Sequence, residues 1–203
     1  AKYHAYTLAA RNAIISNEIA APIIRDFISA GFPYNQSAKR LRDPLNVVEG
    51  AITPYFTNYS MPVLIDSGNG VSAVDIWRTN WGWMLEKGAT TWWEVFDDRW
   101  SHCHYWSGAP TWQLSRYGLG LHPRLDSDGS SVVLRVNSFG LTRMNGRIHI
   151  PIAKWVDVDW KYVSDEEISY SITNTKEFAL YVKNEKVMLA PGEHHFSLHR
   201  KTG

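Results

Sequence analysis

The apolar residues of this chain change their period once, near Gly120, and that change limits the architectures open to it. Before it they recur at helical spacing. Ala5, Leu8, Ala9 and Ala13 form one set, and Ile19, Ile23, Ile24, Phe27 and Ile28 a second. Val71, Val74, Trp77, Trp81, Met84 and Leu85 form the clearest stripe. The stop signals agree. Gly31 with Pro33 closes the second helix, and Gly88 after Lys87 closes the stripe. Thr53-Pro54 offers a hydroxyl cap and a proline at the first helical position, which predicts a helix toward Asp66 that stops near Gly68. Pro62 is placed to kink it, and Pro22 obscures the start of the second helix. Residues 34–50 read as a connection with one helical turn. A last helix is expected over about residues 101–117, with Pro110 inside it.

After Gly120 the alternation is two. Val132, Leu134 and Val136 begin it. Val156, Val158, Trp160 and Tyr162 follow, then Ile168, Tyr170 and Ile172, then Phe178, Leu180 and Val182, then Phe196 and Leu198. Asn184-Glu185 and Pro191-Gly192 fall where turns are needed. Helices followed by strands predict a segregated α+β chain, not an alternating βαβ sheet. The expected domains are 1–120, helical, and 121–203, an antiparallel β-sandwich. Pro, Asp, Ser and Gly cluster between Leu121 and Asp128, at the boundary.

Composition narrows the function classes. With 203 residues, 44% of them hydrophobic, the chain can bury a core. Its 21 basic residues against 20 acidic ones leave no electrostatic footprint for nucleic acid or an anionic membrane. No apolar run approaches the roughly 18 residues of a membrane span. The single cysteine, Cys103, excludes an intrachain disulfide and a cysteine-only zinc site, and does not fix a redox compartment. Ala1-Lys2-Tyr3-His4 shows neither a basic nor an apolar leader region, so no signal peptide is expected there.

Tryptophan is the outlier. Of 10 in the chain, eight lie between Trp77 and Trp112 and none before. One reading is a tryptophan-rich core. The other is a carbohydrate surface, in which aromatic faces meet the C–H faces of a sugar while carboxylates and imidazoles take its hydroxyls. Glu94 follows Trp92 and Trp93 at the mouth of a loop. Apolar neighbours raise a carboxyl pKa, and nearby His or Arg lowers it. Such a group can act as a general base, accept from a hydroxyl, or pair locally with Arg99.

The run Trp81-Gly82-Trp83-Met84-Leu85-Glu86-Lys87-Gly88-Ala89-Thr90-Thr91-Trp92-Trp93-Glu94 closely resembles a segment of glycoside hydrolase family 78, the α-L-rhamnosidases. Ser101-His102-Cys103-His104 resembles the family's Ser-x-Asn-His motif, and Gly108 and Trp112 match positions beyond it. The resemblance implies an (α/α)₆ barrel followed by a β-sandwich, of which this chain would hold the last barrel helices. It implies Glu94 as the general base of an inverting hydrolysis. His104 and Trp93 are implied in the sugar pocket, with Trp92 and Trp81 as further binding residues. Two departures bear on the sugar more than on the chemistry. Cys103 stands where the family has Asn, and the loop from Glu94 to Ser101 is short.

Inversion needs two carboxyls about 6.5–9.5 Å apart. The family's acid lies well N-terminal of this stretch, and nothing before Glu94 matches that region. The chain is therefore expected to be the C-terminal part of a larger enzyme, with the missing N-terminal part and a carbohydrate as its partners. Apolar helix faces left over by such a cut predict self-association. Asp97 reads as structural, Asp98 with Arg99 as a solvated pair, and Glu86 as a residue holding the loop. Cys103 reads as a small buried thiol, and His194-His195 as surface. His102 and His104, two apart, suit no shared metal on a helix face, and neither metal nor cofactor is expected. Two other functions compete: a related glycosidase with another sugar, and a non-catalytic carbohydrate-binding or structural module.

Overall fold

The computed structural model describes residues 2–31, 53–96, 98, 100–124 and 131–199. The chain is segregated α+β and divides into two compact units, Ala1–Thr111 and Trp112–Gly203. The expected connection at 34–50 lies outside the described residues, as do Asp97 and Arg99.

The first unit is helical: α1 (Lys2–Arg11), α2 (Asn17–Gly31), α3 (Thr57–Asp66) and α4 (Gly70–Glu86). Its core takes Ala20, Ala21, Ile24 and Ile28 from α2, Met61 and Leu64 from α3, and Ala73, Trp77, Trp81 and Met84 from α4. Tyr3 anchors α1 among them. Its ring stacks on Phe27 at 4.9 Å, and its hydroxyl meets Ser60 Oγ at 2.6 Å. Burial pushes this phenol far above its ordinary range. The α4 stripe is buried in its middle, while Val71 and Leu85 at its ends are exposed.

Three helices end in the same way. After α1, Ile14 N–H bonds Ala9 O at 2.8 Å and Ala13 N–H bonds Ala10 O. After α3, Asn69 N–H reaches Leu64 O and Gly68 N–H reaches Ile65 O. After α4, Ala89 N–H reaches Met84 O and Gly88 N–H reaches Leu85 O. Each is a Schellman closure around a left-handed residue: Ala13 at φ 56°, Gly68 at 83° and Gly88 at 83°. At the other end of α3, Thr53 Oγ1 accepts from Phe56 N–H at 3.3 Å, so the hydroxyl closes a turn and the helix starts at Thr57.

The expected single helix over 101–117 is not formed. Tyr105–Ser107 is a 3₁₀ turn, α5 spans Ala109–Gln113, and Leu114–Gly118 winds as a π turn. The His104 amide is spent on Trp92 O, and His104 itself is extended at φ −135° and ψ 99°. A helix cannot pass through it. Pro110, which lacks an N–H, sits in the first turn of α5 where none is needed.

The second unit holds two four-stranded sheets, in order β1-β2-β6-β7 and β3-β4-β5-β8. Their strands are β1 (Leu121–Pro123), β2 (Ser131–Leu134), β3 (Arg143–Ile150), β4 (Lys154–Tyr162), β5 (Glu167–Asn174), β6 (Phe178–Val182), β7 (Glu185–Leu189) and β8 (Gly192–His199). All neighbouring pairs are antiparallel except β2 with β6, where Val132 stands opposite Leu180. β1, β3 and β7 carry no alternating apolar set strong enough to be read beforehand. The β6–β7 turn is at Lys183-Asn184, both at positive φ, one residue earlier than expected. The alternating residues meet in one core with Val132, Val156, Val158, Trp160, Tyr170, Ile172 and Leu180. Trp160 Nε1–H donates to Gly118 O at 2.8 Å, and the Tyr170 hydroxyl donates to Leu119 O. Gly118 lets Met144 pack close, since a Cβ there would come within 2.6 Å of Met144 Sδ and the methionine would have to move. No helix among the described residues is long and apolar enough to cross a membrane.

Candidate active site

The Gly88 closure turns the chain out of α4, and residues 91–94 then lie alongside 101–104. Glu94 N–H donates to Ser101 O at 2.9 Å, and His104 N–H donates to Trp92 O at 2.8 Å. The Thr91 hydroxyl adds a bond to His102 O. Phe96, just after Glu94, is fully buried with its ring edge-on to Trp81 at 5.1 Å. Lys87 ties the end of α4 to the loop through Asp98 at 3.5 Å. Glu86, expected in that role, is exposed.

These bonds set where each side chain goes. Trp93 turns inward and is buried. Trp83 meets it edge-on at 5.5 Å, and His102 lies flat on it at 4.2 Å with 12° between the planes. Trp81 is buried too, its Nε1–H donating to Ser107 O at 2.8 Å. Trp92, Glu94 and His104 are half-buried. Trp92 packs so closely on Gly108 that a Cβ there would lie 3.3 Å from its Cδ1. The His104 ring meets Trp106 at 4.5 Å, and its Nδ1 is buried with no hydrogen-bond partner among the described residues. The structure thus gathers Glu94, Trp92, Trp93 and His104 on one paired segment and places Trp81 beneath it in the helical core.

Contrary to the expectation of a small buried thiol, Cys103 is exposed, as are Ser101 and His102 before it. Two residues packed around the paired segment were not singled out from sequence: Phe96, which packs on Trp81, and Tyr55, which meets Trp106 at 6.3 Å. Tyr55 sits beside Thr53-Pro54, where the helix-start signal was read, and nothing in that signal pointed across to residue 106. Among the described residues, no His, Cys, Asp and Glu side chains gather into a group that could hold a metal ion.

No protein-family model matches the chain, and no curated protein matches it. Solved structures do. A GH78 family rhamnosidase of Bacillus sp. GL1 superposes with a TM-score of 0.59 at 24% identity, over 80% of this chain and 17% of that one. The α-L-rhamnosidase of Aspergillus terreus superposes with a TM-score of 0.67 at 15% identity, over 97% of this chain and 24% of that one. The chain spans about a fifth of the length of these enzymes, and its fold is that of the α-L-rhamnosidase segment it covers.

Proposed function

We propose that these 203 residues are the C-terminal part of an inverting glycoside hydrolase acting on α-L-rhamnosides, with Glu94 as the general base. The observation that carries this reading is the placement of Glu94. Its amide is held by Ser101 O, it directly follows Trp92 and Trp93 in the chain, and the surrounding fold is shared with two α-L-rhamnosidases. In the proposed step the Glu94 carboxylate takes a proton from water as the water oxygen bonds to the anomeric carbon. The glycosidic C–O bond breaks, its electron pair stays on the leaving oxygen, and a second carboxyl protonates that oxygen. This reading places the acid in the part of the enzyme outside these residues. In this reading His104 and Trp92, half-buried on the same paired segment as Glu94, take hydroxyls and ring faces of the sugar, while the buried Trp93 and Trp81 belong to the packing under that segment. The apolar side chains exposed on the helical unit, Leu8, Ile14, Ile19 and Val71, are the surface on which the rest of such an enzyme or a second copy packs.

A carbohydrate-binding module without turnover is the second reading. The exposed aromatic side chains after His104, Tyr105 and Trp106, favour it. Turnover of aryl glycosides by a complete enzyme containing this chain separates the two, with α-L-rhamnoside tried first. Glu94→Gln is expected to lower kcat about 10²- to 10⁴-fold with little change in KM. Turnover that survives the substitution removes Glu94 from the base position. No turnover of any glycoside by the intact enzyme leaves the binding module.

A further inference from the structure

Tyr55, Tyr59, Tyr105 and Trp106 form a second aromatic group, distinct from the packed pair Trp83–Trp93. Tyr55 meets Tyr59 at 5.8 Å and Trp106 at 6.3 Å, and Tyr105 meets Trp106 at 5.5 Å. All three contacts are steeply tilted, between 64° and 77°, so the rings touch by their edges and do not stack over one another's faces. Tyr105 is 89% exposed, Tyr55 46% and Trp106 39%. A core cluster would not leave so much ring surface in water.

The group is also polar and fixed. The Tyr55 and Tyr59 hydroxyls lie 3.0 Å apart. The Tyr59 hydrogen bond, and after it the nearness of the Tyr59 and Tyr105 phenols, push the Tyr55 hydroxyl up. Phenols from two distant parts of the chain therefore converge. Asn58 Nδ2 donates both to Tyr55 O at 2.8 Å and to Trp106 O at 3.0 Å, bracing the start of α3 against the 3₁₀ turn. The His104 ring, whose Nδ1 has no hydrogen-bond partner among the described residues, also meets Trp106 at 4.5 Å. Flat apolar faces bordered by hydroxyls and held in place suit a pyranose ring, which has C–H faces and a girdle of hydroxyls. A purely apolar partner would leave these phenols to be desolvated without compensation.

We infer that Tyr55, Tyr59, Tyr105 and Trp106 form a binding platform for a second pyranose ring, the sugar unit next to the one held at Glu94. This rests on the carbohydrate part of the preceding proposal and not on its hydrolytic part. Trp106 joins the two sites, since the His104 beside it is bonded through its amide to Trp92 O.

Isothermal titration of a complete enzyme containing this chain, carrying Glu94→Gln to prevent turnover, with methyl α-L-rhamnoside and with an α-L-rhamnosyl-glucose disaccharide tests it. The disaccharide is expected to bind about five- to tenfold more tightly, the worth of one good aromatic contact. Trp106→Ala and Tyr105→Ala should remove that advantage and leave the monosaccharide unchanged, while Trp106→Phe keeps most of it. Tyr105→Ala guards against misfolding, since that side chain is almost wholly in solvent. Equal binding of the two sugars, binding of neither, or a disaccharide advantage that survives both alanine variants overturns the platform. The two proposals fail separately. A disaccharide advantage lost in Trp106→Ala, in a complete enzyme that hydrolyses nothing, ends the hydrolase and keeps the platform. Hydrolysis of the disaccharide with kcat/KM unmoved by Trp106→Ala does the reverse.

Discussion

His122 is held neutral by its surroundings. It is 8% exposed, its Nδ1 accepts from Arg116 Nε–H at 3.1 Å, and its Nε2–H donates to Arg135 O at 3.2 Å. Burial first, and then the positive charge of Arg116, lower its pKa to about 4. The unfolded chain binds this proton near pH 6.5. Stability from His122 is therefore complete above pH 6.5 and is lost as pH falls toward 4, by up to about 3 kcal/mol. Urea midpoints measured from pH 7 to pH 4 should fall along this window. In His122→Gln the slope over the same range should flatten, even though the variant begins less stable. An unchanged slope would mean that other groups carry the acid sensitivity. Such a residue was invisible beforehand, because nothing around His122 in the sequence announces that residues 116 and 135 will close on it. Glu94 could be named as a candidate because its signal is local, the carboxylate following two tryptophans in one unbroken run.

At the level of the elements, the helix ends allow a direct comparison. Gly68 and Gly88 supply the left-handed residue after α3 and α4, and neither would meet anything within 4 Å if a Cβ were added. Ala13 does the same work after α1 at φ 56° with a side chain that opposes it. Ala13→Gly should therefore stabilise the chain by about 1 kcal/mol, and Gly68→Ala or Gly88→Ala should cost about as much. Thermal unfolding of the three variants checks this, and a destabilised Ala13→Gly would show that unfolded-chain entropy outweighs the relieved strain. Glycine stops were legible because a single residue type with a single backbone need marks them. The helix expected over 101–117 fails for the opposite reason. What breaks it is the bond from His104 N–H to Trp92 O, a pairing between segments that no window of local sequence contains. The 3₁₀ turn it leaves behind is what presents Tyr105 and Trp106.

For the molecule as a whole, the change of period near Gly120 carried most of the information. Alternating residues such as Val156, Val158 and Trp160 have one way to hide together, and they do so in the core between the two sheets. The partner order was not legible. That β2 pairs in parallel with β6 depends on which edge remains free once β3, β4 and β5 have joined another sheet. The tryptophan count left a core and a surface reading open, and the cluster holds both kinds of residue. Trp77, Trp81, Trp83 and Trp93 are core, whereas Trp100, Trp106 and Trp112 keep more than a third of their surface in water. Burial is decided by the three-dimensional neighbours of each ring, so composition alone could not make that division.

The flat contact between Trp93 and His102 has an optical consequence. An indole under an imidazole at 4.2 Å is an emitter whose surroundings are set by one neighbouring ring. Anything that parts the two strands of the paired segment also parts these rings, and emission from Trp93 should change with it. Replacing His102 with Ala should shift the native emission, and an unchanged spectrum would assign the signal to another tryptophan. The segment that carries Glu94 would then report its own closure as light, with no label attached.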